Sequence, residues 1–179
     1  MDLPHTMALP QGESAGCYCR ECLTMEQAIV NLPGATVAYL RHVGPYGPAI
    51  GELWMKLRDW AIPRGLWKDS MVCYGISHDS PMDTPPEKMR YDACIEVPPS
   101  MEVDGGANRA ELPGGLYARL AFHGKPEAIR AGYDRVFHQI IPQANKQFDF
   151  TRPVFELYRG IMKMDAHGSF GCDLCVPAN

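Results

Sequence analysis

Residues 32–44 read LPGATVAYLRHVG, and residues 112–124 read LPGGLYARLAFHG, so the chain contains one segment twice. The two segments share six identities in thirteen positions at an offset of 80. Two dipeptides also recur at an offset of 79, Ile62-Pro63 as Ile141-Pro142 and Val97-Pro98 as Val176-Pro177. Because the order of the matches is kept along the chain, the sequence predicts two copies of one structural unit.

Each copy is expected to contain several strands and one helix. Thr36–Val43 is rich in β-formers, whereas Pro48–Ala61 places apolar residues at three- and four-residue spacing, as in an amphipathic helix. A second helix is predicted over Pro126–Ile141. The other predicted strands are Glu26–Asn31, Met71–Ser77, Asp92–Val97, Arg109–Leu112, Leu116–Phe122, Val154–Arg159 and Phe170–Val176. The order is β-β-α-β-β in each half, or β-α-β-β if the first strand is weak, which predicts an α+β fold of duplicated units about a pseudo-twofold axis.

Composition and charge exclude several classes of protein. The 179 residues are 46% hydrophobic and 21% charged, which predicts one folded domain with a core. The net charge of −4 argues against direct nucleic-acid binding and against an anionic membrane partner. Residues 1–16 lack the pattern of a signal peptide, and the chain lacks an apolar segment of about 18 residues, so we expect a cytoplasmic protein.

Seven cysteines are expected to be reduced thiols. Cys17, Cys19 and Cys22 lie in residues 1–23, which we interpret as an N-terminal tail, and their close spacing is compatible with a zinc site. The alternative is a thiol-rich tail without a metal. Cys172 and Cys175 are three apart on a predicted strand and so point to opposite faces. The sequence therefore assigns no firm metal ligand and no cofactor.

Several segments of this sequence resemble the GyrI-like small-molecule-binding domains. These segments are Val37–Tyr46, Pro85–Cys94, Leu112–Ala118, Pro153–Tyr158 and Leu174–Pro177. The resemblance implies a GyrI-like/SHS2 fold over residues 24–179, with a first repeat at 24–100, a second at 101–179 and a ligand cleft between the halves. Such domains serve as effector-binding parts of AraC-type and MerR-type transcription regulators and also stand alone. Their ligands are often lipophilic cations held by a buried glutamate among aromatic rings.

Glu156 matches the glutamate of that family, and its surroundings in the sequence support a site. It lies in the otherwise apolar and aromatic segment Val154–Tyr158, where a lone carboxylate is costly unless it is paired. On a strand, Glu156 and Tyr158 point to the same face, and a carboxylate beside an aromatic ring suits a lipophilic cation. In the repeat Glu156 aligns with Gly75, so the acid is not part of the duplicated scaffold. The alternative is that Glu156 pairs with Arg41, Arg119 or another internal base, or lies at an edge in contact with water.

Four more aromatic residues are candidates for the ligand cleft. Tyr46 lies between a predicted strand and a helix, where its ring either reaches over the cleft or covers the helix end. Trp54 lies on the apolar face of the predicted helix, as a pocket wall or as core. Tyr39 and Tyr74 are also candidates, although strand alternation alone does not say which face each takes.

These features predict a stand-alone binding domain for hydrophobic, cationic small molecules, of the multidrug or effector-binding kind. The alternative is a hydrolase of cytotoxic xenobiotics that uses the same cleft, with Glu156 as general base and Tyr46 or Tyr158 as acid. An inhibitor of DNA gyrase is a weaker alternative, because kinship alone suggests it. A homodimer or a protein partner is compatible with either function.

Overall fold

The computed structural model describes residues 27–179, in which eight strands form one antiparallel sheet. The predicted tail, with Cys17, Cys19 and Cys22, lies outside the described residues. The strands are β1 (Gln27–Leu32), β2 (Ala35–Val43), β3 (Val72–Ser77), β4 (Arg90–Glu96), β5 (Asn108–Leu112), β6 (Gly115–Gly124), β7 (Phe155–Arg159) and β8 (Phe170–Pro177). The predicted α+β class is confirmed.

Two helical segments cover one face of the sheet. Helix α1 (Pro48–Ala61) packs on β2 and β4, and α2 (Ile129–Arg135) packs on β6 and β8. A 3-10 turn precedes α2, and a π-helical segment and a short α3 follow it: Pro126–Ala128, Val136–Ile140 and Ile141–Gln143. The predicted single helix is thus irregular at its end. Pro142 gives a physical reason, because its ring clashes with the carbonyl four residues earlier in a regular α-helix.

The order of the strands is the same from either edge of the sheet. That order is β1-β6-β8-β7-β3-β4-β2-β5, and exchanging each strand for its counterpart in the other half reproduces it. The first strand of each half joins the other half, since β1 pairs with β6 and β5 pairs with β2. The sequence did not predict this exchange. The topology agrees with two related halves, and their origin by duplication stays a prediction.

The repeated Leu-Pro-Gly segments are the turns of two hairpins, and these turns touch each other. A β-carbon built on Gly114 would lie 2.6 Å from the Gly34 nitrogen and 2.7 Å from the Leu32 carbonyl oxygen. A β-carbon on Gly34 would lie 3.0 Å from the Leu112 carbonyl oxygen. Glycine is therefore required at position 114, where two backbones meet, and a β-carbon at position 34 would fit only tightly.

The sheet has a front face, which faces the helices, and a rear face. On α1 the buried residues are Leu53, Trp54, Leu57, Trp60 and Ala61, in agreement with the predicted apolar stripe. Front-face residues of the strands include Ala38, Ala93, Ile95 and Leu174, whereas Val37, Tyr74, Tyr117 and Phe155 form a separate cluster on the rear face. Within residues 27–179, no helix is both long enough and apolar enough to span a membrane.

Replacing Gly114 by Ala is expected to lower the free energy of unfolding by about 2 kcal/mol or more, because the new methyl group meets backbone atoms that must shift. Gly51→Ala is the matched control, since a β-carbon on Gly51 meets nothing within 4 Å on α1. We expect this control to raise stability by about 0.5–1 kcal/mol. Urea unfolding of both variants tests the turn contact, and a Gly114→Ala protein as stable as the wild type would contradict it.

Candidate functional site

The candidate site lies at the centre of the sheet, where the two halves meet. Strands β3 and β7 are the inner neighbours in the sheet, and their register places Gly75 directly opposite Glu156. The two residues that align in the sequence repeat are therefore partners in space. Because paired residues share a face, the Glu156 side chain projects from the middle of the front face toward the two helical segments.

Two tyrosine hydroxyls hold the Glu156 carboxylate. The Tyr91 hydroxyl donates to Glu156 Oε2 at 2.8 Å, and the Tyr158 hydroxyl donates to the same oxygen at 3.2 Å. The Tyr91 oxygen in turn accepts the indole N–H of Trp54 at 3.3 Å. A chain of hydrogen bonds thus runs from α1 through β4 to the acid on β7.

Gly75 supplies the space that the carboxylate occupies. A β-carbon built on Gly75 would overlap both the Tyr91 hydroxyl and Glu156 Oε2. Any larger residue at position 75 would therefore displace the acid or its hydrogen-bond donor. The difference between the two halves at this pair of positions is a steric requirement of the site.

Burial raises the pKa of Glu156 to about 7, and the hydrogen bonds from Tyr91 and Tyr158 act in the opposite direction. The side chain is only 4% exposed. No basic residue in the described part of the chain forms an ion pair with it. Arg41 instead pairs with Asp92 at 2.7 Å, and Arg119 lies 3.7 Å from Asp173, so the ion pairs considered from the sequence are not formed. The acid thus has neutral partners only.

Aromatic rings surround the acid on the front face. The Trp54 and Tyr158 rings meet edge to face with centroids 5.4 Å apart, and Tyr158 lies 6.2 Å from Phe170. Tyr46 meets Tyr91 edge to face at 6.1 Å. The structure therefore brings together four of the residues selected from the sequence, which are Glu156, Tyr158, Trp54 and Tyr46.

Tyr46 joins two loops beside the cleft. Its hydroxyl lies 2.9 Å from the Arg90 carbonyl oxygen and 3.1 Å from that of Asp79, and it is the donor to these acceptors. Burial raises the pKa of this hydroxyl above its ordinary value. Because its proton is used in these contacts, Tyr46 is suited to forming a wall of the site and is poorly placed to act as an acid.

Tyr39 and Tyr74 lie on the rear face, away from Glu156. Tyr74 packs edge to face on Phe155 at 5.4 Å, and the Tyr39 ring lies 5.4 Å from the Arg41 guanidinium carbon. The rear-face position of Tyr74 follows from the alternation of side chains along a strand, because the adjacent residue, Gly75, lies on the front face. The structure does not bring these two rings into the site.

Two site residues were missed by sequence reasoning, Tyr91 and Tyr133. Tyr91 lies within a segment that carries the family resemblance, and it shares the front face of β4 with Ala93 and Ile95. Alternation along β4 could have placed Tyr91 on the front face. The pairing of β4 with β3 was needed as well, because it brings the Tyr91 hydroxyl to Glu156. Tyr133 on α2 has a buried hydroxyl oxygen, and no residue of the described chain forms a hydrogen bond with it.

The described cysteines do not form a common site. Cys73, Cys94, Cys172 and Cys175 are all free thiols. Cys172 packs with the front-face clusters and Cys175 with the rear-face cluster, as their spacing predicted. Burial raises the pKa of Cys73 and of Cys175 to about 12, which disfavours the thiolate form that binds metals. Residues 27–179 contain no group of three His, Cys, Asp or Glu side chains arranged to hold a metal ion.

A family model, that of the GyrI-like small molecule binding domain, matches residues 25–179. The chain belongs to this GyrI-like family. The resemblance stated from the sequence motifs is thereby confirmed. Small-molecule binding is the property that the family description gives to this fold, and the cleft at Glu156 is the candidate place for it.

One relative in sequence and two solved structures of similar fold accompany this family match. The chain is 32% identical over 154 residues to YosT of Bacillus subtilis strain 168, a candidate transcriptional regulator from prophage SPbeta, covering 86% of this chain and 99% of YosT. The EcmrR–DNA complex in EcmrR-RPo, solved by cryo-EM, has a TM-score of 0.69 at 16% identity, covering 86% of this chain and 57% of EcmrR. SAV2435 bound to tetraphenylphosphonium has a TM-score of 0.53 at 16% identity, covering 87% of this chain and 94% of SAV2435.

The raised pKa of Glu156 predicts that the folded state loses stability as the pH rises. The pKa is about 7 in the folded protein against 4.5 in the unfolded chain, so the folded state binds the extra proton between these values. This difference corresponds to about 3 kcal/mol. The stabilisation of the folded state by the proton on Glu156 is fully present below about pH 4.5 and is lost by about pH 8.

Glu156→Gln removes this titration, and urea unfolding between pH 5 and pH 8 tests it. The variant is expected to gain about 2.5 kcal/mol relative to the wild type from pH 5 to pH 8, because part of the full difference lies below pH 5. Glu52→Gln, at an exposed glutamate of α1, serves as the control and is expected to show a constant difference. A constant difference for Glu156→Gln as well would contradict the raised pKa.

Proposed function

We propose that this GyrI-like domain binds lipophilic cations between its two helical segments, with the Glu156 carboxylate as the counter-charge. One observation carries the proposal, which is that Glu156 is buried with hydroxyl donors and no basic partner among the described residues. A cation would supply the missing charge. The two hydroxyl donors offset part of the cost of burying this acid, which is unfavourable without hydrogen bonds.

The energetics of the site favour a cation that is also apolar. Burial makes the charged form of Glu156 unfavourable, and a bound positive charge offsets this because charges attract strongly in a medium of low polarity. The rings of Trp54, Tyr158 and Phe170 present aromatic surface around the acid. Such rings attract a cation through their faces and exclude water from large apolar substituents.

Ligand entry requires side chains to move, since the site is closed in this structure. Glu156 is only 4% exposed, and cavities of about 150 and 210 Å³ lie elsewhere on the protein. Two loops flank the cleft, at 78–89 and 160–169. Arg130 on α2 contacts the sulfur of Met82 in the first loop at 3.4 Å, and Met162 of the second loop packs against the front-face core. Flexible methionines are suited to such movement.

The relatives support this proposal in two ways. SAV2435, whose fold is similar, is bound to tetraphenylphosphonium, a large apolar cation. YosT is named as a candidate regulator of transcription, and EcmrR, whose fold is similar, was solved in a complex with DNA. We therefore propose an effector-binding role for this domain, in which the cation is the signal or the molecule to be sequestered.

Tetraphenylphosphonium binding tests the proposal, because this cation carries its charge at every pH. We expect Glu156→Gln to weaken binding by about thirtyfold or more at pH 8, since removing one partner of a buried charge pair typically costs about 2–5 kcal/mol. For the wild type, affinity is expected to fall about tenfold from pH 8 to pH 6, as Glu156 becomes protonated. Isothermal titration calorimetry measures both effects.

Two controls separate charge recognition from apolar binding. The neutral dye N-phenyl-1-naphthylamine is expected to bind the wild type and Glu156→Gln equally, as measured by its fluorescence. Glu52→Gln, which removes an exposed acid of α1, is expected to leave phosphonium affinity unchanged. Equal phosphonium affinity of Glu156→Gln and the wild type would refute the role of the acid.

Hydrolysis of an electrophilic substrate is the second candidate function. A carboxyl group with a pKa of about 7 accepts and returns protons easily near neutral pH, and this favours a general base at Glu156. The Tyr158 hydroxyl, which donates to that carboxylate at 3.2 Å, would orient it toward a bound water. Styrene oxide is a suitable probe. Formation of the diol by the wild type and not by Glu156→Gln would favour an enzyme, whereas cation binding without turnover favours the binding domain.

A further inference from the structure

Tyr133 lies on the second wall of the proposed cleft. It is a residue of α2, and the preceding residue, Gly132, lies so close to the sheet that a β-carbon there would meet the Leu174 side chain at 2.5 Å. Leu174 on β8 is the register partner of Glu156 on β7. Burial raises the pKa of the Tyr133 hydroxyl well above its ordinary value, and the charge of Glu156 adds to the rise. Tyr133 itself packs against the front-face cluster that contains Leu174, so its side chain lies on the same side of the sheet as the acid.

The hydroxyl of Tyr133 is buried without a hydrogen-bond partner in the described structure. A buried hydroxyl normally donates to a protein group or to water, because the loss of that bond is unfavourable. Tyr91 and Tyr158 satisfy this rule by donating to Glu156. Tyr133 is therefore an exception at the site, and a ligand atom that accepts its hydrogen bond would remove the deficit.

The polar aromatic residues of the two helical segments differ in their hydrogen bonding. Trp54 on α1 and Tyr133 on α2 occupy corresponding positions at an offset of 79. The Trp54 N–H is used within the protein, since it donates to the Tyr91 hydroxyl. The helix turns π-helical three residues after Tyr133, at Val136–Ile140, and such segments are frequent at functional sites. Of these two polar groups, only the Tyr133 hydroxyl therefore lacks a hydrogen-bond partner in the described structure.

We propose that the Tyr133 hydroxyl is a second polar anchor, which selects lipophilic cations that also carry a hydrogen-bond acceptor such as a carbonyl oxygen. This inference rests on the proposed binding of cations at Glu156. The two anchors have separate tasks, because Glu156 pairs with the positive charge whereas Tyr133 donates to an acceptor elsewhere on the ligand. Within residues 27–179, no hydrogen bond to Glu156 Oε1 is formed, so this oxygen is left for the cation.

The test compares phosphonium cations that differ only in a hydrogen-bond acceptor. The probes are the 2-, 3- and 4-acetylphenyl-triphenylphosphonium ions, and the matching isopropylphenyl ions control for size. We expect at least one acetyl isomer to bind the wild type about tenfold more tightly than its isopropyl analogue, since a buried donor gains its partner. Tyr133→Phe is expected to abolish this preference, so that each acetyl ion binds the variant within about twofold of its isopropyl analogue.

Stability gives an independent readout of the same hydroxyl. Tyr133→Phe keeps the ring and removes only the buried oxygen, so urea unfolding is expected to show a variant at least as stable as the wild type. A less stable variant would show that the hydroxyl already has a partner in the free protein, which would overturn the proposal.

The outcomes distinguish this inference from the proposed function. If tetraphenylphosphonium binds and depends on Glu156, but no acetyl isomer is preferred, the role of Tyr133 is refuted and the cation site stands. The same conclusion follows if the acetyl preference persists in Tyr133→Phe. If the wild type binds none of the cations, both proposals fail together.

Discussion

The burial of Glu156 opposite Gly75 is the constraint on which the rest of the site depends. An acid at the centre of an eight-stranded sheet needs space, donors and protection from water. Gly75 provides the space, because any β-carbon there would overlap the carboxylate. Tyr91 and Tyr158 provide the donors, and the helices cover the front face. The result is a carboxyl group whose pKa is raised to about 7 and that has no charged partner within residues 27–179.

Near-symmetry of the fold places this acid at the centre of the sheet, and a departure from that symmetry gives it space. Strands β3 and β7 are counterparts, so antiparallel pairing at the centre of the sheet brings corresponding residues face to face. Two identical residues at this point would compete for one space. A glycine on one strand therefore permits a large polar residue on the other. The Leu-Pro-Gly turns show the opposite case, since their contact favours the same small residue in both halves.

Local patterns in the sequence predicted the elements and the face of Glu156, but they left the pairing of distant strands open. Alternation placed Tyr158 beside Glu156, and helical spacing placed Trp54 on the inner side of α1. Tyr91 needed the pairing of β4 with β3, which brings residues 65 positions apart into hydrogen-bond contact. The exchange of β1 and β5 between the halves was also not predictable, because a repeat does not say which copy an edge strand joins.

The hydrogen bonds that hold Glu156 in the closed site are also those that would stabilise its charge beside the proposed cation. With Glu156 protonated, the carboxyl group is neutral and suits the apolar surroundings of the free protein. A bound cation, as proposed, would favour the ionised form, so that binding near neutral pH would release a proton. Tyr91 and Tyr158 stabilise the ionised form by donating to Oε2, and these bonds are formed in the closed structure. On the proposed function these donors are already in place, and ligand entry requires the movement of the side chains and loops that cover the acid.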